Sequence, residues 1–254
     1  MTNAEFKTRA RADLKGYYWL AFLTTFIYTT LSGLGNSIGQ RVGTFITGTS
    51  IDYQKYIEYM SKGDSERAME VISEAYNNPV ASMVTSLITL IVVIFVINHL
   101  SVGHKIVYLN ASDRGSLEIG DLFAGFKHYG KILKTMFFYV LYIYLWSLLF
   151  IIPGIVKSYS YYMVPYIMAE NPNISTQRAF EISKKTMNGE KGKAFYMHLS
   201  FIGWYILGFF ACCIGIYFVN PYALATYTQF YTYVKSKARA TCLATPEDFA
   251  MTAA

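Results

Sequence analysis

The sequence predicts an all-α protein of the membrane: a polytopic transmembrane helical bundle, about six spans, with tight 3–4 and 5–6 hairpins and interfacial amphipathic helices. Three observations carry that prediction. Charged residues make up only 15% of the 254-residue chain, well under the roughly 25% typical of soluble domains. Ala81 to Leu100 holds no ionisable group except His99, and about 20 such residues span a hydrocarbon core. Of 22 Lys and Arg, 17 fall in four stretches between apolar runs that contain no Asp or Glu.

Element by element, residues 1–16 read as an N-terminal interfacial helix. Phe6, Ala10, Leu14 and Tyr17 share one face, while Lys7, Arg11 and Lys15 lie off it. The leader contains Glu5 and Asp13 and no A-x-A cleavage site follows, so it reads as retained. Apolar segments follow at Tyr17–Leu34, Ala81–Leu100, Thr135–Ile152, Ile155–Ala169, Ala194–Val219 and Tyr222–Val234. Pro153-Gly154 and Asn220-Pro221 read as the joints of the two hairpins, because proline costs least at a helix end or first turn. The fourth and sixth segments are short, and the sixth is polar, with Thr226, Thr228, Gln229 and Thr232. A pair of re-entrant hairpins is the rival reading there.

Charge orients the chain. Residues 1–16, 101–134, 170–193 and 235–254 hold four, five, five and three Lys/Arg; residues 35–80 hold four against six acids. The positive-inside rule then puts both termini and the two basic loops in the cytoplasm. Residues 35–80 become an extracellular helical insertion, with helices at Asp52–Ser61 and Asp64–Tyr76, and residues 235–254 a cytoplasmic tail, all within one membrane domain over 1–254.

A unit recurs. Leu14-Lys15-Gly16 precedes Ala21-Phe22, and Met187-Asn188-Gly189 precedes Ala194-Phe195 at the same spacing; Gly125 to Leu133 is a looser copy. Ala179, Ile182, Ser183, Thr186 and Met187 share a face in the second unit. Gly16 and Gly189, with Pro153, Gly154 and Pro221, are therefore candidate structural hinges.

Several motifs occur in order: Lys15 to Phe22 (KGYYWLAF), Asp121 to Phe126 (DLFAGF), Leu149 to Ile155 (LFIIPGI), Tyr159-Ser160-Tyr161, Pro165-Tyr166, Glu170-Asn171-Pro172 and Tyr217 to Tyr222 (YFVNPY). In these the chain resembles the bacterial integral-membrane family catalogued as domain of unknown function 975, from about Phe6 to Tyr233. The resemblance implies a multi-span protein of Gram-positive-type bacteria and carries no assigned activity. The elbow-then-span layout is also similar to the membrane portion that accompanies some glycerophosphodiesterases, a likeness of scaffold.

Chemistry is sparse. The acids lie on the aqueous sides, and the spans offer no G-x-S-x-G nucleophile, H-E-x-x-H or phosphate-binding lysine loop, so the expectation is a protein that is not an enzyme, without metal or cofactor. Cys212, Cys213 and Cys242 have no metal or redox spacing. His99, His104 and His198 lie near the inner interface but lack a carboxylate at ligand spacing. Lys157, Tyr159 and Asn220 form a candidate polar pocket for an anionic headgroup or peptide carboxylate, set against a lysine that merely snorkels. Tyr139, Tyr142 and Tyr166 are a candidate stacked aromatic site. Expected partners are anionic headgroups of inner-leaflet lipids and a protein partner or second copy; dispersed basic residues argue against nucleic acid. The leading expectation is a membrane scaffold, accessory subunit or protective factor against membrane-active peptides, the alternative a transporter or binder of a small molecule, lipid or peptide.

Overall fold

The computed structural model describes residues 1–47, 51–76, 79–210 and 215–249. Among these there is no strand: the protein is all-α. The helices are α1 (Asn3–Asp13), α2 (Tyr18–Thr47), α3 (Tyr53–Ser61), α4 (Ser65–Tyr76), α5 (Pro79–Val92), α6 (Asn98–Arg114), α7 (Tyr129–Leu149), α8 (Ile151–Ser160), α9 (Val164–Glu170), α10 (Thr176–Thr186), α11 (Lys191–Phe210) and α12 (Gly215–Ala240). A π turn, Val93–Ile97, joins α5 to α6, and a 3-10 stretch, Ile119–His128, leads into α7. Two continuous stretches among the described residues, Ser82–Arg114 and Ile119–Leu149, are long and apolar enough to cross a membrane.

The chain divides into two compact units, residues 30–97 and residues 1–29 with 98–254. In the smaller, α3 and α4 pack as a hairpin. Asp52 caps α3 by accepting from the Lys55 N–H, and Asp64 accepts from the Arg67 N–H at the start of α4. Ala68 of α4 is fully buried, while Tyr53, Ile57 and Met60 of α3 stay exposed. Asn77 and Asn78, which follow α4 in the sequence, lie outside the described residues.

The larger unit has its core where α1, α6, α9, α10 and α12 meet. Phe6 of α1 sets its ring edge-on to Phe230 and Tyr233 of α12, and Tyr166 of α9 stacks on Tyr231 at 4.7 Å. The α1 face is Phe6, Ala10 and Leu14, as its spacing predicts; Tyr17 leaves it because α1 ends at Asp13. The predicted α10 face, Ala179, Ile182, Ser183, Thr186 and Met187, is buried throughout. Gly103 and Gly125 let α6 meet the 3-10 stretch backbone to backbone. A Cβ on Gly103 would lie 1.9 Å from the Leu122 carbonyl oxygen, and one on Gly125 2.4 Å from that of His99.

Both hairpin joints fall elsewhere than the sequence predicts. α7 ends at Leu149 and the chain turns at Phe150, which is extended, so Pro153 sits in the first turn of α8, where a missing N–H breaks no helical bond. Gly154 instead packs against Ser147, where a Cβ would come within 2.8 Å of the Ser147 Cα. Pro221 lies inside α12, not in a loop. α12 already begins at Gly215, whose backbone lies against Gly208 of α11: a Cβ on Gly208 would come within 2.8 Å of the Ile216 nitrogen. The Phe218 carbonyl, one turn before the proline, accepts from the Tyr18 hydroxyl at 2.9 Å.

The predicted fourth segment is also two helices, broken at Tyr161–Met163. The buried hydroxyl of Ser183 fills the break: it donates to the Ser160 carbonyl (2.9 Å) and accepts from the Met163 N–H (3.2 Å). Both backbone groups freed by the break are thus satisfied inside the protein.

Candidate functional site: a polar belt and two basic clefts

One end of the larger unit carries a belt of polar side chains threaded on α12. Gln229 donates to Asp13 of α1 and to Ser112 of α6. Two residues on, Tyr231 donates to Glu170 of α9 at 2.8 Å, and Lys235 closes an ion pair with the same carboxylate. Lys237 reaches Glu190 at 2.6 Å, and Lys193 pairs with Glu190 at 2.9 Å while donating to the Tyr233 hydroxyl. The belt joins α1, α6, α9 and the α10–α11 turn to a single helix.

Environment separates these acids. Burial pushes Glu170 above the ordinary carboxylate range, with the Lys235 and Tyr231 contacts pulling the other way. Burial also raises Asp13, against its hydrogen bonds from Gln229 and Ser112. At Glu190 burial acts upward too, but hydrogen bonds from Lys237 and Lys193 outweigh it and hold the carboxyl low. The void beside Tyr231 and Lys235 measures about 10 Å³, room for no more than one water. At Glu170 and Lys235, 2% and 15% exposed, the belt is a fastening between α9 and α12.

The tail adds a second fastening. Arg178 grips Asp248 with two nitrogens (3.2 and 2.9 Å), pairs with Glu181 and donates to the Leu243 carbonyl. That grip holds the Asp248 carboxyl below its usual value. Phe249 is buried beside it, under Lys235 and Arg239.

Two clefts open nearby. The larger, about 840 Å³, runs between α7 and α10. Lys131, Lys134, Lys184 and Lys185 surround it, and Phe138, Tyr142, Tyr161 and Phe180 line it. The smaller, about 560 Å³, lies at the α1–α2 elbow, between Arg11, Lys15 and Tyr18 on one side and Trp204, Phe218 and Tyr222 on the other. Arg11 leans on the Tyr222 ring at 5.2 Å.

Lys157, Tyr159 and Asn220 line neither cleft. Lys157 lies in the last turn of α8, where the helix dipole favours a cation, and sits over the Trp146 ring at 4.5 Å; the start of a segment, where the sequence puts it, would disfavour one. Tyr159 packs edge-on to Phe195 and His198. The three histidines occupy separate aromatic settings. His99 stacks on Tyr129, His104 stacks on Tyr28 and meets the Thr25 hydroxyl, and His198 stacks on Tyr227. Tyr142 belongs to the larger cleft, whereas Tyr166 stacks in the core, so no stack joins them. Cys212 and Cys213 lie outside the described residues, and Cys242 is exposed.

Gly16 and Gly189 take φ of +90° and +81°, each between an interfacial-type helix and a long one. Sequence reading missed Ser183 as the plug of the α8–α9 break and Gln229, Tyr231 and Lys235 as the belt. Their signal was the run of polar residues on α12, whose partners are 61 to 216 positions away.

No curated protein and no solved structure matches the chain. Residues 150–238, which contain α8 to α11 and nearly all of α12 and so most of the belt, match the family described as "Protein of unknown function (DUF975)".

Proposed function

We propose that this chain is a six-span integral membrane protein that works without catalytic chemistry of its own, as a scaffold, accessory subunit or protective factor. Its termini and the loops at 101–134 and 170–193 face the cytoplasm, and residues 35–80 face outward. The observation that carries the reading is the division of surface. Around the α7–α8 turn, Leu148, Phe150, Ile151 and Ile152 are each 70–77% exposed, and Phe209 and Phe210 at the far end of α11 are similarly bare. At the end of α9 and in the turn before α11, Glu170 and Glu190 are buried and ion-paired. Bare apolar ends on one side and satisfied charges on the other fit hydrocarbon as the surrounding solvent.

The test is extraction and labelling. Under this reading the protein stays with membranes washed at alkaline pH. A cysteine placed at Lys184 reacts only after permeabilisation, and one at Glu70 reacts in intact cells. Release by the alkaline wash, or the reverse labelling pattern, would end it. Affinity purification then separates the roles: a stoichiometric protein partner supports the adaptor.

The carrier reading draws on one feature, the broken α8–α9 segment, since interrupted helices often mark transport sites. Ser183 occupies that break with both of its hydrogen bonds, which favours a structural use of it. Solute flux in proteoliposomes would reverse that preference.

A further inference from the structure

We infer that the cleft between α7 and α10 binds one acidic phospholipid, with the phosphate among Lys131, Lys134, Lys184 and Lys185 and an acyl chain along Phe138 and Phe180. The inference rests on the membrane reading above and narrows it to a single site. The cleft is large enough, at about 840 Å³, for a headgroup and part of a chain. Its charge is one-sided: four lysines face a single carboxylate, Glu181, and that acid is already committed to Arg178 and Lys185. Lys131 is held by the Asn173 side-chain oxygen at 2.7 Å, while among the described residues neither Lys134 nor Lys184 pairs with a carboxylate. Ser175 already caps α10, so the lysines and not the helix end supply the attraction.

Polarity also changes along the cleft in the direction a lipid requires. Lys131, Lys134, Phe138 and Tyr142 form one stripe down α7, cationic at the helix start and aromatic further in. Phe180 stands edge-on to Tyr142 and Tyr161 at 5.3 and 5.0 Å, which makes a continuous aromatic wall below the lysines. α7 belongs to a stretch able to cross a membrane, so the lysine end meets headgroups where the aromatic end meets chains. A free phosphate would satisfy the mouth and leave the wall unused.

The experiment uses the full-length protein in zwitterionic micelles, with bound molecules read by native mass spectrometry. Phosphatidylglycerol is expected to be retained at least about tenfold better than phosphatidylcholine, and inorganic phosphate not retained. Lys134→Gln with Lys184→Gln should lower phosphatidylglycerol occupancy about tenfold, and Lys134→Arg with Lys184→Arg should restore it. Equal retention of the two lipids, retention of inorganic phosphate, or unchanged occupancy in the glutamine variant overturns the site. Alkaline extraction of the wild type separates the two levels: release from membranes ends the membrane reading, whereas retention with failed lipid binding ends the cleft alone.

Discussion

The two glycine elbows share a register of buried positions and diverge in charge pairing at the residue that follows the glycine. Counting from each glycine, positions −10, −6, −2, +5 and +8 are Phe6, Ala10, Leu14, Ala21 and Thr24 at the first, and Ala179, Ser183, Met187, Ala194 and Met197 at the second; all ten are buried. At position +1 the first has Tyr17, half-exposed, and the second has buried Glu190. Glu190 gathers Lys193 and Lys237 and shuts the second elbow. The first has no such acid, and its Arg11 and Lys15 stand around an open cleft. The repeated turn is thus specified by buried residues at fixed spacing, while the residue after the glycine sets how its charges pair.

The largest expected break in that comparison is Glu190→Gln. It strands two lysines that are a third to a half exposed and should cost about 2 kcal/mol, against near zero for Tyr17→Phe, read from unfolding in detergent micelles. Next come Gly16→Val and Gly189→Val. Each forces a branched side chain into positive φ, and each should cost about 1–2 kcal/mol, with similar values at the two elbows if the turns are equivalent. A loss at one elbow alone would break the equivalence.

Smaller again is the tail. Asp248→Asn removes a charged, partly exposed grip and should weaken the protection of residues 244–249 from proteolysis by about 1 kcal/mol. The pH signs of two carboxylates oppose each other. Asp248, held low by Arg178, contributes stability above its unfolded value of roughly pH 4, and that contribution is lost as pH falls through the depressed folded value. Glu170, raised by burial, favours the fold below roughly pH 4, and that contribution is lost as pH climbs through its raised folded value. Asp248→Asn should therefore flatten the fall toward acid pH, and Glu170→Gln should remove a fall that begins above roughly pH 4. The same sign from both variants would refute the assignment.

Much of the fold was legible because helices are written in short-range spacing. The buried stripes of α1 and α10, the cap at Asp64, and the positive-φ elbow glycines Gly16 and Gly189 all follow from residues within about ten positions of one another. The hairpin joints were misplaced for the opposite reason. Proline marks a turn only when no neighbouring helix demands that the chain continue, and α12 continues through Pro221 while Tyr18, some 200 residues away, takes the Phe218 carbonyl. Lys157, which the sequence puts at the start of a segment, instead lies in the last turn of α8 beside Trp146, because that segment is two helices.

By itself the sequence determined the helical class, the segregation of charge from apolar runs, the recurrence of the elbow and the family likeness that residues 150–238 bear out. Tertiary structure alone decided which charges are spent in pairing and which remain around a cleft. Lysine 184 and lysine 193 look alike as letters, yet one edges a cavity and the other is bound to Glu190. That difference depends on distances of a few ångströms between helices far apart in the chain, where electrostatic energy changes steeply and local sequence carries no record of it.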